Sequence, residues 1–294
     1  MDLNENCNLS GRKSVLCPPH NAFIPSDEEG FVRQPIPYRD YDLSPVDPKL
    51  PSIHVLVDDV LIKILEYLSL KKRIHCEIIC RRWQALLYGM FQSTTEISLP
   101  ESYFDDVSKP MLSKILLLTG KKLKSLTLIS IDYTLKMKLF LTIAQLCPNL
   151  EYLDVSNLQN LYFDHVGDLK DCKNLRIFSA NKCLNLNDTS FKELITVLPG
   201  LEKIFIESTE LTGDYFDLLP EGLKELNINS CLRVSTENLH KVCRACKNLE
   251  ILEIEILDID KEFYEELGVN CTNLRSLKVF FLGPMLMFPN KLSP

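Results

Sequence analysis

His240, Cys243 and Cys246 fall within one short stretch, HKVCRAC. Imidazole and thiolate groups at this spacing are the raw material of a zinc site, and a Cys-x-x-Cys pair is that of a redox centre. A structural zinc takes four ligands, however, and a redox pair needs a thioredoxin-like setting. TGKK at Thr119 has the end of a phosphate loop without its beginning, because position 115, where the upstream glycine belongs, is Ile115. The histidines His20, His54, His75, His165 and His240 lie in different segments, and no local motif sets a serine or cysteine beside a base. The expectation is a non-catalytic protein with no metal and no cofactor.

Composition narrows the class. The 294 residues carry a net charge of −7, with 46% apolar and 25% charged side chains. That is ordinary for a globular chain long enough for one or two domains. The acidic balance argues against a nucleic-acid partner, which favours a basic face. No apolar run reaches the ~18–20 residues of a membrane helix, so no membrane partner is expected. The start, MDLNENCNLS, is polar and does not read as a secretory signal. The 11 cysteines are therefore expected as reduced thiols in the cytosol or nucleus, acting as small hydrophobes. The sequons at Asn8, Asn187 and Asn270 are expected to stay unmodified.

The elements fall into stretches of different character. Residues 1–51 hold eight of the 16 prolines and few large aliphatics, which predicts a disordered tract. Within it, SDEE at Ser26 and LSP at Leu43 suit acidic-directed and proline-directed phosphorylation, but the same residues read first as a plain tail. From Leu56 to Leu87, 19 of 32 residues are apolar. Val60, Leu61, Ile64, Leu65 and Leu68 follow helical spacing, with Asp58 or Asp59 to cap or charge the start. A second short helix is predicted near Leu70–Ile74. A third carries Ile79, Trp83, Leu86 and Leu87. A unit this small cannot hide so much apolar surface internally. Part of it must lie against the rest of the chain or a partner.

The stretch LVDDVLIKILEYLSLKKRIHCEIICRRW resembles the F-box without a gap from Leu56 to Trp83. The matching residues are Leu56, Val60, Leu61, Ile64, Leu65, Leu68, Ile79, Cys80 and Trp83. Val57 stands where the family usually has proline, and Arg73 where it usually has an apolar residue. The resemblance implies docking on a Skp-family adaptor through these residues and Val57, with Trp83 and its neighbours as the energetic centre.

Further on, a motif recurs: LKSLTL at Leu123, LEYLDV at Leu150, LRIFSA at Leu175, LEKIFI at Leu201, LKELNI at Leu223, LEILEI at Leu249 and LRSLKV at Leu274. TTEISL at Thr94 is a looser first copy. Intervals of 22 to 27 residues with LxxLxL are the leucine-rich-repeat signature, in which each copy supplies a strand and a return segment. Cys147, Cys172, Cys246 and Cys271 all sit three residues before a repeat leucine, and Cys183 and Cys231 share a position after the strand. This resembles the cysteine-containing repeats that follow an F-box. The expected architecture is α/β: a disordered tract at 1–51, a three-helix F-box at 52–93, and repeats over 94–282. These form an open horseshoe arc of about seven or eight copies, with a tail or cap at 283–294.

Strand residues alternate in and out, and in LxxLxL the fourth and sixth point to the core. The outward rows are Tyr152, Asp154, Ser156; Ile177, Ser179, Asn181; Lys203, Phe205, Glu207; Glu225, Asn227, Asn229; Ile251, Glu253, Glu255; and Ser276, Lys278, Phe280. Five acids face two lysines there, which suits a partner with a basic or mixed segment anchored on the aromatics. The same rows also read as a solvated face. The family resemblance implies a substrate receptor of a cullin–RING ubiquitin ligase, holding an unidentified target protein on the repeats. The rival reading is an interaction scaffold that never delivers a target to ubiquitin.

Overall fold

A computed structural model describes residues 53–99, 109–129, 138–256 and 259–281. The tract at 1–51, its phosphorylation motifs and the tail at 283–294 lie outside the described residues. The chain divides into two compact units after Met90.

The first unit holds α1 (Asp58–Glu66), α2 (Leu70–Cys76) and the start of α3 (Arg81–Ser93). Val57 takes the extended backbone ahead of α1, and no side chain caps that end. Asp58 and Asp59 lie in the first turn, where their charge favours the positive end of the helix dipole. Asp58 also accepts from Arg82 Nε and Nη2 at 2.8 and 2.6 Å, which ties α3 to α1. Ser69 caps α2 by accepting from the Lys72 N–H. The core is Leu61, Leu65, Leu70, Ile74, Trp83 and Leu87. One expectation is corrected here. Ile79 precedes α3, in the turn after α2, because the helix opens only at Arg81.

The second unit is a parallel sheet of eight strands in chain order: β1 (Glu96–Leu99), β2 (Ser125–Leu128), β3 (Tyr152–Asp154), β4 (Ile177–Ser179), β5 (Lys203–Phe205), β6 (Glu225–Ile228), β7 (Ile251–Ile256) and β8 (Ser276–Phe281). Register is set repeat on repeat, so that Leu153 meets Phe178, Phe178 meets Ile204, and Ile204 meets Leu226. Return segments vary from copy to copy, and the two 25-residue steps hold a 3-10 helix (Val166–Asp171) in one case and an α-helix in the other. The 22-residue step from Leu201 to Leu223 has room only for a 3-10 turn at Phe216–Leu218. The 26-residue steps hold α6 and α7, once the earlier α4 (Lys109–Thr119) and α5 (Leu139–Leu146) are counted: α6 is Asp188–Val197 and α7 is Thr236–Ala245. The final helix, α8, is Lys261–Asn270. Asn187, Ser235 and Asp260 each cap a helix by accepting from the N–H three residues on.

Two cysteine positions have distinct jobs. Cys147, Cys172, Cys246 and Cys271 are buried, and each carbonyl accepts from the N–H of its repeat leucine. Burial pushes the Cys147 and Cys246 thiols up to about 12 and Cys172 up to about 11, so they stay protonated and behave as apolar filler. Cys183 and Cys231 lie just past a turn that recurs at left-handed φ: Asn157 at 62°, Lys182 at 58°, Ser208 at 56° and Ser230 at 56°. That turn aims each thiol back at the previous repeat, at Val155 O (3.2 Å) and Ile206 O (3.0 Å).

The second residue of each copy forms a rung that the leucine pattern does not announce. From the second copy onward it reads Lys124, Glu151, Arg176, Glu202, Lys224, Glu250, Arg275, alternating in sign throughout. Each of these amides donates to the carbonyl of its predecessor, as from Lys224 to Glu202 at 2.7 Å. The side chains therefore stack, with Lys124–Glu151 at 2.8 Å, Lys224–Glu202 at 2.6 Å and Arg275–Glu250 at 3.6 Å. The hydrogen bond from Lys224 is the main reason Glu202 titrates below its ordinary range. Exposed pairs contribute little singly, and a network contributes more. Glu202→Lys, which lines up three cations, is expected to lower the thermal midpoint by a few degrees at low salt. Adding Lys224→Glu should recover part of the loss, and high salt should narrow the gap. A midpoint unmoved at low salt would mean the ladder carries no stability.

Candidate protein-docking surfaces

The structure sorts the adaptor-facing candidates into two groups. Leu61, Leu65 and Trp83 are core; Trp83 is 8% exposed. Its indole N–H is buried without an acceptor among the described residues. Trp83 is thus a packing residue of its own unit, which corrects its expected place at the centre of the docking face. Val57, Val60, Ile64 and Ile79 are exposed, while Leu56, Leu68 and Cys80 are half-buried. The helical stripe on α1 is wider than one core can cover: Leu61 and Leu65 turn inward, and Val60 and Ile64, one position earlier, turn out. Two more exposed apolar residues were missed by pattern matching, Tyr67 at 92% and Ile78 at 75%. Both sit just past helix ends, where helical periodicity gives no signal. The IleIle doublet at 78–79 was the available clue.

Arg73 has a structural role. Its Nε donates to the carbonyls of Leu65 (3.0 Å) and Leu68 (2.8 Å), and its Nη2 to that of Glu66 (2.8 Å). The Leu65 and Glu66 carbonyls end α1 and that of Leu68 lies in the turn beyond it, so the guanidinium gathers the carbonyls where the helix gives out. The departure from an apolar residue therefore exchanges packing for a side-chain cap.

The outward face of the sheet divides as well. Its β3–β4 part is closed on itself. Asp154 is buried, accepting from Tyr152 OH (3.2 Å) and from the Ser156 N–H (2.9 Å), and Ser156 and Ser179 share a hydrogen bond at 2.9 Å. Burial, then the neighbouring Asp154 carboxylate, pushes Tyr152 up to about 12. Ile177 lies half-buried beside them. On β5–β8 the charges pair across strands: Lys203 with Glu225 at 2.7 Å, and Lys278 with Glu253, which also accepts from Asn227. Ser230 donates to Glu255 at 2.6 Å, and the Asn229 N–H donates to Asn227 Oδ1. Asp154, Glu225 and Glu253 are consequently occupied, which corrects the count of five acids available to a partner. Glu207, Glu255, Phe205, Ile251 and Phe280 remain at least partly open.

HKVCRAC resolves into packing and an ion cluster. Cys243 and Cys246 are buried in the core, and no group of three or more His, Cys, Asp or Glu among the described residues suits a metal. His240 instead bridges α7 to α8: its Nδ1 is 3.0 Å from Glu266 Oε2 and its Nε2 is 3.2 Å from Asp260 Oδ2. Arg244 reaches Glu266 at 3.1 Å, and the Phe263 ring packs edge-on to the imidazole. Partial burial pulls the His240 pKa down, but the two carboxylates together pull harder, and it ends above 6.5.

Comparison with known proteins places an F-box domain at residues 53–89. Among curated proteins, a Caenorhabditis elegans chain described as "Putative RNA-binding protein EEED8.10" is 25% identical over 233 residues. The match takes in 67% of the present chain and 31% of that relative's length. Among solved structures, internalin C2 from Listeria monocytogenes is 14% identical with a TM-score of 0.44, covering 69% of this chain and 80% of its own. The tropomodulin C-terminal domain of Caenorhabditis elegans is 14% identical with a TM-score of 0.39, covering 47% and 93%. These structural likenesses are too loose to bear on function.

Two outcomes follow from the geometry. Arg73→Ala is expected to cost the F-box unit roughly 1–3 kcal/mol, because the Leu65, Glu66 and Leu68 carbonyls lose a charged donor. Arg73→Leu, though nearer the family pattern, should not restore it; denaturant unfolding reads both. His240 has a raised folded pKa, so its ion cluster contributes fully below about pH 6.5 and fades as pH rises through the folded value. The thermal midpoint of the native chain relative to His240→Asn should therefore shrink between about pH 6 and pH 8. A pH-independent difference would contradict the bridge.

Proposed function

We propose that this chain is the substrate-recognition subunit of an SCF-type (Skp–cullin–F-box) ubiquitin ligase. Its F-box docks on a Skp-family adaptor and its repeat sheet holds a target protein. One observation carries the reading. A helical unit within the first 90 residues, whose core is already filled, still exposes Val57, Val60, Ile64, Tyr67, Ile78 and Ile79. Small units do not leave that much apolar surface in water unless it is covered on binding. The F-box match supports a Skp-family adaptor as the partner that covers it.

In this role the chain forms and breaks no bonds. It raises the effective concentration of a target lysine near a charged conjugating enzyme and orients it. The site of action is the cytosol or nucleus, where thiols stay reduced. The RNA-binding description of the Caenorhabditis elegans relative is not carried over. The matched region is 31% of that protein, and the present chain is acidic, with a net charge of −7.

Val60→Glu with Ile64→Glu is the discriminating pair, because both side chains point away from the core. The native chain is expected to form a stable complex with purified adaptor on size-exclusion chromatography, and the variant to lose it while its thermal midpoint holds. Charge substitution at Leu65 or Trp83 would unfold the unit and say nothing about docking. A native chain that ignores the adaptor sinks the assignment. One that binds the adaptor but never co-purifies with a cullin from cells supports the scaffold reading instead.

A further inference from the structure

The repeat sheet carries a feature at the C-terminal ends of its strands that the leucine pattern hides. Across five successive repeats, from β4 to β8, the exposed or partly exposed side chains there include Leu184, Glu207, Leu232, Glu255 and Phe280, set among the polar Asn181, Lys182, Asn229 and Ser230. Taken in repeat order, these five bring apolar side chains to either side of each of the two acids. Leu184 is 55% exposed, Leu232 56% and Phe280 50%. Glu207, Glu255 and Phe280 are the seventh residues of their copies. Leu184 and Leu232 are the tenth, just past the left-handed turns at Lys182 and Ser230.

The carboxylates here differ from the others on the sheet. Asp154, Glu225 and Glu253 already accept from neighbours, two of them from lysines. Among the described residues Glu207 has no ion pair, and Glu255 accepts the Ser230 hydroxyl, which holds it in place without neutralising it. The nearby cations do not balance them. Arg233 is engaged by Glu210 at 3.5 Å, and Lys182, exposed in the adjoining turn, forms no ion pair among the described residues. Strands β5 and β7 are two rungs apart, so the two acids are separated by about 10 Å at the usual strand spacing.

We propose that this stripe docks an extended segment of a target protein in which basic residues about three positions apart are interleaved with apolar ones. The assignment rests on the receptor reading for its biological setting, but the chemistry is carried by the stripe itself. Cations of the segment would meet Glu207 and Glu255, and its apolar side chains would cover Leu184, Leu232 and Phe280. The segment runs across the repeats rather than along a strand. The β3–β4 rows stay outside the contact, because their polar groups are satisfied internally.

The test uses the full chain and a fluorescein-labelled peptide of lysine, leucine and serine, with a glutamate-for-lysine peptide as comparison. Anisotropy is expected to show salt-sensitive binding of the basic peptide only. Glu207→Gln with Glu255→Gln should weaken it by roughly tenfold or more, the loss of at least one charge-assisted contact. Glu237→Gln with Glu262→Gln, exposed acids on α7 and α8, should leave it unchanged. Equal weakening by both pairs, or none by the first, overturns the proposal. So does self-association of the chain that the first pair abolishes, which would assign the stripe to a second copy. Adaptor binding by the Glu207→Gln/Glu255→Gln chain, measured in parallel, separates this result from the receptor reading: loss of either interaction leaves the other standing.

Discussion

Everything in the repeat unit hangs on one backbone contact. The carbonyl of the second residue in each copy accepts two N–H groups from the next copy, as Glu202 O does from Lys224 at 2.7 Å and Glu225 at 3.1 Å. A single copy has no partner for its strand and cannot bury the leucine edge behind it, so neither the strand nor the core exists in isolation. Once the contact forms, it fixes the register. It therefore fixes which side chains enter the core, which become neighbours across the outer face, and where the turns release the chain. The cross-strand pairs, the thiols aimed at the preceding turn and the charge rungs are all consequences of that shared carbonyl.

The two units use polar side chains differently. In the F-box unit, Arg73 and Arg82 spend their donors on backbone and on Asp58, stitching short helices that would not persist alone. In the repeat unit, helix ends are managed locally by Asn187, Ser235 and Asp260, and long-range polar contacts run between adjacent copies. Exposed apolar surface is concentrated accordingly. In the first unit it covers the outer side of α1 and the turn before α3. In the second it appears singly, on return segments and α8 as at Tyr162 and Val269, and past strand ends as at Leu184 and Leu232.

How much of this the sequence disclosed depends on the length scale of the signal. The repeat leucines recur over six intervals of chain, and a one-residue error would turn them out of the core, so strand positions and facing could be read directly. The cysteine positions were legible for the same reason. What escaped was anything settled between partners. Val60, Leu61, Ile64 and Leu65 all fit one helical stripe, and only packing decides that Leu61 and Leu65 go in. Trp83 drew attention as a lone tryptophan, yet size and apolarity suit a core as well as an interface. Asp154 and Glu253 look like free acids in a sequence row, because their donors belong to other turns and other strands. The alternating second residues were visible throughout but have no meaning until adjacent copies stack. Arg73 read as a defect, since the carbonyls it serves carry no sequence mark.

The alternating rungs from Lys124 to Arg275 also bear on how such an array can change length. Excising or duplicating a single copy within it would set two rungs of like sign face to face. Excising or duplicating two adjacent copies would leave the pattern intact. The stack is in effect written in two-copy doublets, so a pair of repeats is the smallest piece that can be added or removed without a like-charge contact.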